Sequence, residues 1–310
     1  MAAPKSPRKG SLQYWPRKRA SRFLPSVNWD AIDSAKNLKG FIGYKAGMVS
    51  IHVKDKTPDS MTKDKKIVIP ATILECPPMK ILSVRFYKHG KVVNEALNEN
   101  LDKDLKRVIK LPKTKTKKME DVKDYDDVRI IVYSEVKKTN IKKTPDLIEV
   151  ALIGSLDEKI NFIKSQMNKE ISVSDVFEKG QLIDLRGLTK GKGLQGPVKR
   201  FGITLRQHKS EKGIRKVGSI GPWHPTRVTF RVPMAGQLGM FTRIHYNGKI
   251  IDIRKDPLSN IKNFGSLKSE YILVYGSVQG PSKRQMIITA PLRKTKKQAK
   301  KNFEFIEILK

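Results

Sequence analysis

The chain has 310 residues, 64 lysines and arginines against 30 acids, and a formal net charge of +34 at pH 7. This length allows one large domain or two smaller ones, and a hydrophobic content of 38% is enough for a buried core. A charge excess of this size repels itself unless a polyanion neutralises it. The composition therefore favours a nucleic-acid-binding protein over a basic protein with a merely solvated surface.

The sequence has no feature typical of a secreted or membrane protein. Its one cysteine, Cys76, excludes an intramolecular disulfide and lies in an apolar run, so we expect a small buried hydrophobic side chain. The N-terminus has no apolar signal core, and no stretch approaches the roughly 20 apolar residues of a membrane span. No basic amphipathic helix suits a membrane surface either. We therefore expect a cytoplasmic protein.

Residues 1–38 predict a basic N-terminal extension. Residues 1–29 carry seven lysines and arginines, no acid and four prolines, a composition that cannot build a packed core. A plain flexible tail is one interpretation. The interleaved rings of Tyr14, Trp15 and Phe23 favour a tail that folds along RNA, because aromatic rings and guanidinium planes stack on bases. The candidate RNA contacts here are Arg17, Lys18, Arg19 and Arg22.

The segment 39–90 predicts the first part of a β domain. Residues 67–74 and 80–87 are rich in β-branched and apolar residues, and turn residues bound them. The polar stretch 54–66 between strand-like segments predicts a hairpin loop.

The segment 91–179 predicts an α/β module inserted into that β domain. Acids return, and apolar residues recur at three- to four-residue steps over 97–108, which indicates a helix. Residues 110–123 form a lysine-rich loop, and the runs 128–133 and 147–152 predict strands.

A second helix and a return to strands follow. Ser155 and Glu158 have the spacing of a capping box, which predicts a helix beginning after Ser155. The segment 180–310 then predicts the second part of the β domain. Its strand-like runs lie at 181–185, 271–275 and 285–289.

The region 186–254 departs from ordinary globular composition, with fifteen lysines and arginines against two acids, Glu211 and Asp252. A long stretch with so few apolar runs is unusual unless it is functional. We predict a long basic extension at 187–245 whose packing surface a partner supplies, and which lacks amide-exchange protection in the free chain. A shorter basic stretch at 293–301 carries six more cations and no acid.

The first distinctive motif is the glycine- and lysine-rich stretch 189–197. Its three glycines allow close approach of the backbone to a surface, and Lys190 and Lys192 add charge at the same place, which suits phosphate contact. A generic glycine- and lysine-rich loop remains the alternative. Other cations of the extension that we select as RNA contacts are Lys199, Arg200, Arg206, Lys209, Arg215, Lys216, Arg227, Arg231 and Arg243.

The second motif surrounds Trp223, which lies between Pro222 and the pair His224 and Pro225. A tryptophan is normally buried, but its neighbours here offer little protein to bury it. We expect Trp223 to stack on a base, with His224 also in contact with RNA, and Trp223→Ala to leave the β domain folded. Local packing within the loop is the alternative.

The sequence offers no catalytic or metal-binding constellation. His208, His224 and His245 lie in or beside the basic extension, but no cluster of His, Cys or carboxylates has ligand spacing. A phosphate-binding P-loop is absent, and acids for general acid–base chemistry are almost missing from the extension. We predict no enzyme activity, no cofactor, no metal and no small-molecule substrate.

Six separated motifs, in this order, resemble the universal large-subunit ribosomal protein of the L-three family, in its archaeal and eukaryotic form. They are GFIGYKAGM at 40–48, VSDVF at 173–177, TKGKGLQGP at 189–197, GPWHP at 221–225, AGQLG at 235–239 and GSVQGPSKR at 276–284. The segment 91–150 and both tails match loosely.

The resemblance implies a mainly β fold with an α/β insert: a closed six-stranded β-barrel like that of translation factors, an inserted module, and long extensions that penetrate rRNA. Trp223 matches a tryptophan near the extension tip. Lys190, Lys192, Lys199 and Arg200 match a basic loop, and Ala235, Gly236 and Gln237 match the return limb. Gln237 thereby joins the candidate rRNA contacts.

The function that the resemblance implies is structural. The family supports large-subunit assembly and the architecture around the peptidyl transferase centre, in contact with rRNA and neighbours such as protein fourteen of the large subunit. Eukaryotic members carry a histidine where this chain has Glu211, and a long C-terminal extension after the barrel, so we expect an archaeal type. The alternatives are an RNA-modifying enzyme, which would need a cofactor loop, and a non-ribosomal RNA-binding regulator or assembly factor.

Overall fold

The computed structural model describes residues 7–112, 119, 122 and 124–309. Most of the lysine-rich loop predicted at 110–123 therefore lies outside the described residues. Within the described part, no helix has the length and apolar character needed to cross a membrane.

The described chain divides into two compact units. The loop unit comprises the described residues up to Arg22 together with Leu188–Arg243. The sheet unit comprises Phe23–Gly187 and the chain from Ile244 onward.

Strands account for most of the regular structure. In chain order they are β1 (Gly40–Asp55), β2 (Lys66–Glu75), β3 (Met79–Lys88), β4 (Lys91–Leu97), β5 (Asp127–Ser134), β6 (Leu147–Ala151), β7 (Leu182–Leu188), β8 (Leu194–Gln195), β9 (Gly236–Gln237), β10 (Thr242–Arg254), β11 (Tyr271–Tyr275), β12 (Gln285–Thr289) and β13 (Phe303–Leu309). The helices are α1 (Leu156–Gln166), α2 (Val173–Val176), α3 (Pro197–Phe201) and α4 (Lys296–Lys300), with 3₁₀ turns at Lys103–Arg107 and Val136–Thr139.

The larger sheet has the strand order β12-β7-β10-β11-β2-β1-β13, and β12 also pairs with β1. The sixteen residues of β1 allow this, because its first part pairs with β12 and its second part with β13. On its other edge, β1 pairs with β2 from Tyr44 to Lys54. A register shift between Lys45 and Gly47 lies near the change of partner. The predicted hairpin loop between β1 and β2 is confirmed.

The smaller sheet has the order β4-β3-β5-β6, which corrects the predicted boundary at residue 90. The predicted segment 39–90 placed β3 in one sheet with β1 and β2, but β3 pairs with β4 and β5. The chain leaves the larger sheet at Pro77 and Pro78, between β2 and β3, because proline has no N–H to donate to a strand ladder. The α/β module therefore begins near residue 79.

The helix predicted over 97–108 is wrong. Leu97 ends β4, and only Lys103–Arg107 forms a 3₁₀ turn. The leucine spacing does reflect a shared apolar cluster, since Leu97, Leu101 and Leu105 pack with Leu82 and Tyr133. The backbone turns after β4 at Asn98, whose side-chain amide donates to the carbonyls of Ile81 and Met167 at 3.1 and 2.6 Å.

The helix predicted from the capping box is confirmed as α1. The Ser155 hydroxyl accepts from the amide of Glu158, and the Glu158 carboxylate accepts from the amide of Ser155 at 3.0 Å. Cys76 is buried at 1% exposure, as expected for a small hydrophobic side chain.

The N-terminal extension is shorter than the predicted 1–38. Trp29, Ile32 and Leu38 are buried in the main core of the sheet unit, which also holds Phe41 and Tyr44 of β1. Their apolar side chains stabilise the folded unit, so the extension ends before them. The composition of 1–29 alone predicts no core, because the residues that bury Trp29 lie elsewhere in the chain.

Candidate nucleic-acid interface

Two limbs of chain pair antiparallel at the base of the loop unit. The glycine- and lysine-rich stretch 189–197 is one limb, and the motif 235–239 lies in the other. Backbone bonds join Thr189 N to Phe241 O at 3.0 Å, and Lys192 N to Leu238 O at 3.0 Å. Strands β8 and β9 continue the pairing. The stretch 189–197 is therefore held by hydrogen bonds to the returning limb, and its contact with phosphate stays a prediction.

Two glycines of this base have different surroundings. Gly239 has a φ of +80°, and a Cβ placed there would lie 2.0 Å from the carbonyl oxygen of Lys190. Gly193 has a φ of +62°, but nothing lies within 4 Å of its Cβ position. The close backbone approach is thus between the two limbs at Gly239, whereas Gly193 faces open space.

Arg200 at the end of α3 joins three separate stretches of backbone. Its guanidinium donates to the carbonyls of Gln237 at 2.9 Å, Met234 at 2.9 Å and Arg17 at 3.3 Å. Arg17 donates in return to the carbonyl of Arg200 at 3.2 Å. The N-terminal segment is thereby held against both limbs within the loop unit.

An aromatic cluster lies beside this arginine pair. Trp15 stacks on Phe201 with 5.9 Å between ring centroids, and Phe230 meets Trp15 edge-on at 5.9 Å. The guanidinium carbon of Arg17 lies 4.3 Å from the ring centroid of Phe201, a cation–π contact. Trp15 therefore has aromatic partners within the loop unit, and its stacking on RNA bases stays a prediction.

The other tail rings also have cation partners. Arg243 lies 4.7 Å from the centroid of Tyr14, and within the sheet unit Arg284 lies 5.1 Å from that of Phe23. Both rings keep much of their surface open, with Tyr14 58% and Phe23 45% exposed.

The arginines of the base repel one another. Burial, and then the charges of Arg200, Arg243 and Arg8, lower the pKa of Arg17, and burial lowers the pKa of Arg200. By sequence, the loop unit has six lysines and arginines in 7–22 and twelve in 188–243, against the single acid Glu211. A polyanion would relieve this repulsion.

The tip of the loop unit, residues 218–231, is exposed at every position. Trp223 is 84% exposed, so the alternative of local packing does not describe it. Trp223 and its neighbours, among them Ile220, Arg227 and Val228, line a shallow pocket of about 330 Å³. An exposed indole beside an open pocket is a surface on which a base can stack.

The predicted contact residues fall into two groups. Thirteen are exposed: Lys18, Arg19, Arg22, Lys190, Lys192, Lys199, Lys209, Arg215, Lys216, Trp223, His224, Arg227 and Arg231. Five are partly buried: Arg17, Arg200, Arg206, Gln237 and Arg243. Arg206 resembles Arg200, since its guanidinium donates to the carbonyl of Val217 at 2.6 Å.

Two exposed apolar side chains of this surface were not predicted from the sequence. Phe230 is 63% exposed within the tip, and Leu194 is 82% exposed on the glycine-rich limb. Phe230 could have been identified from the sequence, because it is an aromatic residue in a region with too few apolar residues to bury it. In the part of the chain that the structure describes, no group of three or more His, Cys, Asp or Glu could hold a metal ion.

A mainly β fold that carries a cation-rich loop unit with an exposed tryptophan defines a protein suited to a polyanionic, base-bearing partner. A family model described as "Ribosomal protein L3" matches residues 1–308. The chain therefore belongs to the ribosomal protein L3 family.

Curated relatives agree with this assignment. The large ribosomal subunit protein uL3 of Methanocaldococcus jannaschii is 38% identical over 307 residues, which cover 93% of this chain and 91% of that protein. The corresponding protein of Picrophilus torridus is 38% identical, covering 96% and 94%. That of Archaeoglobus fulgidus is 39% identical, covering 94% and 93%. All three relatives are archaeal, which agrees with the archaeal type expected from the sequence.

Proposed function

We propose that this chain binds large-subunit rRNA through its loop unit, and so supports subunit assembly and the architecture around the peptidyl transferase centre. As a ribosomal protein L3, the chain is a structural constituent of the large ribosomal subunit in the cytoplasm and not an enzyme. The observation that carries the proposal is the exposed, cation-rich surface of the loop unit, which has one acid, Glu211.

The contact residues divide by role. The exposed cations contact phosphates, because an exposed ammonium or guanidinium can reach the backbone of RNA without losing an internal partner. Trp223 stacks on a base, and His224 lies beside it. The arginines Arg17, Arg200 and Arg206 donate to carbonyls within the unit, so we assign them to holding its shape rather than to direct contact.

The larger sheet supports a proposal about the barrel. Because β12 pairs with β7 and also with β1, the six strands β12, β7, β10, β11, β2 and β1 form a ring of pairings. We propose that these six form the closed barrel and that β13 lies outside the ring, paired with β1. The α/β module would then be the insertion between β2 and β7.

Neighbouring ribosomal proteins are further proposed partners. The family resemblance suggests protein fourteen of the large subunit among them. Cross-linking of intact subunits followed by mass spectrometry would test this: lysines of this chain should link to that protein, and links only to other neighbours would contradict it.

Sedimentation tests the main proposal. In a sucrose gradient of native lysate, the chain should migrate with the large subunit, at one copy per subunit, and stay there after a high-salt wash. Salt removes proteins held only by surface phosphate contacts, so retention indicates a threaded component. A chain at the top of the gradient would indicate a non-ribosomal regulator or assembly factor.

A matched pair of variants connects this test to the loop unit. Changing Lys190, Lys192, Lys209 and Lys216 to Gln removes four exposed charges there. Changing Lys106, Lys143, Lys164 and Lys169 to Gln removes four exposed charges from the α/β module. We expect only the first variant to be depleted from the large subunit at low salt, before any wash, because phosphate contacts contribute most to binding there. Equal incorporation of the two variants would contradict the assignment to the loop unit.

A further inference from the structure

A second group of uncompensated cations lies in the sheet unit, outside the proposed contact set. The C-terminal basic segment, residues 293–300, includes α4 and contains Arg293, Lys294, Lys296, Lys297 and Lys300. All five are exposed, and the segment contains no acid.

The segment is anchored to the sheet unit on both sides. Before it, the amide of Leu292 donates to the carboxylate of Asp184 at 2.9 Å. Within it, the ammonium of Lys249 donates to the carbonyl of Ala299 at 3.2 Å. After it, the amide of Asn302 donates to the hydroxyl of Thr57 at 3.0 Å. Its cations therefore project from a fixed backbone, which lowers the entropy cost of binding.

Several other lysines of the sheet unit have acid partners. In the α/β module, Lys80 lies 2.6 Å from Glu135, and Lys159 lies 2.7 Å from Asp127. The five exposed cations of the C-terminal basic segment form no ion pair with any described residue. The C-terminal basic segment, with five cations and no acid, is therefore left without compensating charge.

We infer that the C-terminal basic segment is a second RNA-contact surface, separate from the loop unit, which binds the phosphate backbone. This inference rests on the proposed rRNA binding. The segment 293–300 has no aromatic residue, so it offers no stacking platform for a base, unlike the tip with Trp223. Lys296 and Lys300 stand at i and i+4 on α4 and lie side by side, which suits neighbouring phosphates.

The test compares the full-length chain with three variants in binding to a transcript of the large-subunit rRNA over a series of salt concentrations. The first changes Lys294, Lys296, Lys297 and Lys300 to Gln, and the second changes the same four to Arg. The third is the module variant at Lys106, Lys143, Lys164 and Lys169, which has the same loss of charge as the Gln variant.

We expect the Gln variant to reduce the slope of log binding constant against log salt by about 3, since each phosphate contact contributes roughly 0.7–0.9. The Arg variant should keep the wild-type slope, and so should the module variant. Hydroxyl-radical footprinting should show that the Gln variant loses protection at nucleotides still protected by the loop-unit variant, in which Lys190, Lys192, Lys209 and Lys216 are changed to Gln.

The outcomes separate this inference from the main proposal. If the wild-type chain does not bind the transcript, the proposed function fails. If it binds and the Gln variant matches the module variant, only the second surface is wrong. A Gln variant that binds RNA normally but is absent from assembled subunits would also overturn the inference, because an acidic protein would then cover the segment. Unchanged thermal unfolding is expected for every variant, since the altered side chains are exposed.

Discussion

Three arginines of the loop unit, Arg17, Arg200 and Arg206, donate hydrogen bonds to the unit's own backbone. Arg200 uses the fork geometry of its guanidinium to join three carbonyls, which a lysine ammonium cannot reach together. Sequence reasoning selected Arg200 as an rRNA contact because charge alone does not distinguish a donor to phosphate from a donor to a carbonyl. Burial and hydrogen-bond partners make that distinction.

Arg200→Lys tests this role at constant charge. Loss of these charged hydrogen bonds should destabilise the base of the loop unit by about 2–4 kcal/mol, because hydrogen bonds of charged groups contribute roughly 1.5–3 kcal/mol each and lysine restores part of them. The measurement is amide exchange at Lys192 and Leu238, whose amides join the limbs. The neighbouring exposed Lys199, changed to Arg, is the control and should leave these rates unchanged.

Trp223→Ala tests the tip. Because the side chain is 84% exposed, thermal unfolding should be unchanged, while rRNA binding should weaken by about 1–3 kcal/mol, the usual contribution of one stacked base. Trp29→Ala is the opposite control: that ring is 4% exposed and its loss should cost about 3–5 kcal/mol of stability. A tip variant that loses its unfolding transition would make Trp223 a core residue instead.

Elements of the chain differ in how much of their structure is local. The α1 helix begins where its capping box predicts, because the hydroxyl and carboxylate that satisfy the first amides are three residues apart. The leucines at 97–108 show the opposite case. Helical spacing placed them in one apolar cluster, but the cluster is shared with β3 and β5, and the backbone there is a strand end and a 3₁₀ turn.

The pairing of the two limbs makes a prediction for glycine substitutions. Gly239→Ala should open the pairing, because a Cβ at that site meets the carbonyl oxygen of Lys190 at 2.0 Å and the φ is positive. Gly193→Ala should cost only the conformational strain of its positive φ, about 1–2 kcal/mol, because the space around it is open. Equal exchange rates for the Leu238 amide in the two variants would contradict the close approach at Gly239.

At the scale of the whole molecule, charge is divided between two kinds of surface. Several lysines of the α/β module, such as Lys80 and Lys159, pair with acids, whereas the described cations of the loop unit and of the C-terminal basic segment have almost no acid near them in the sequence. The charge of +34 is therefore concentrated where RNA is proposed to bind. In the absence of RNA, repulsion between these cations destabilises the folded protein.

Amide exchange on the free full-length chain tests how the loop unit depends on its partner. The sequence predicted no protection over 187–245, but the hydrogen bonds between the limbs limit this expectation to the tip. Residues 218–231 are all exposed and should exchange fast, whereas the amides that join the limbs at Thr189 and Lys192 should exchange more slowly. Strong protection across the tip without RNA would show that the protein alone supplies its packing.

The sequence by itself determined the basic class of the protein, its family, α1 and the strands with the strongest apolar runs, including β11 and β12. These follow from net charge, ordered motifs and local hydrogen-bond chemistry, all of which can be read without knowing distant neighbours. Only the tertiary structure decided that β3 joins β4 and β5, that Trp29 is a core residue and that Trp15 packs on Phe201. Each depends on residues far apart in sequence, because burial and strand pairing are properties of the neighbours that folding brings together.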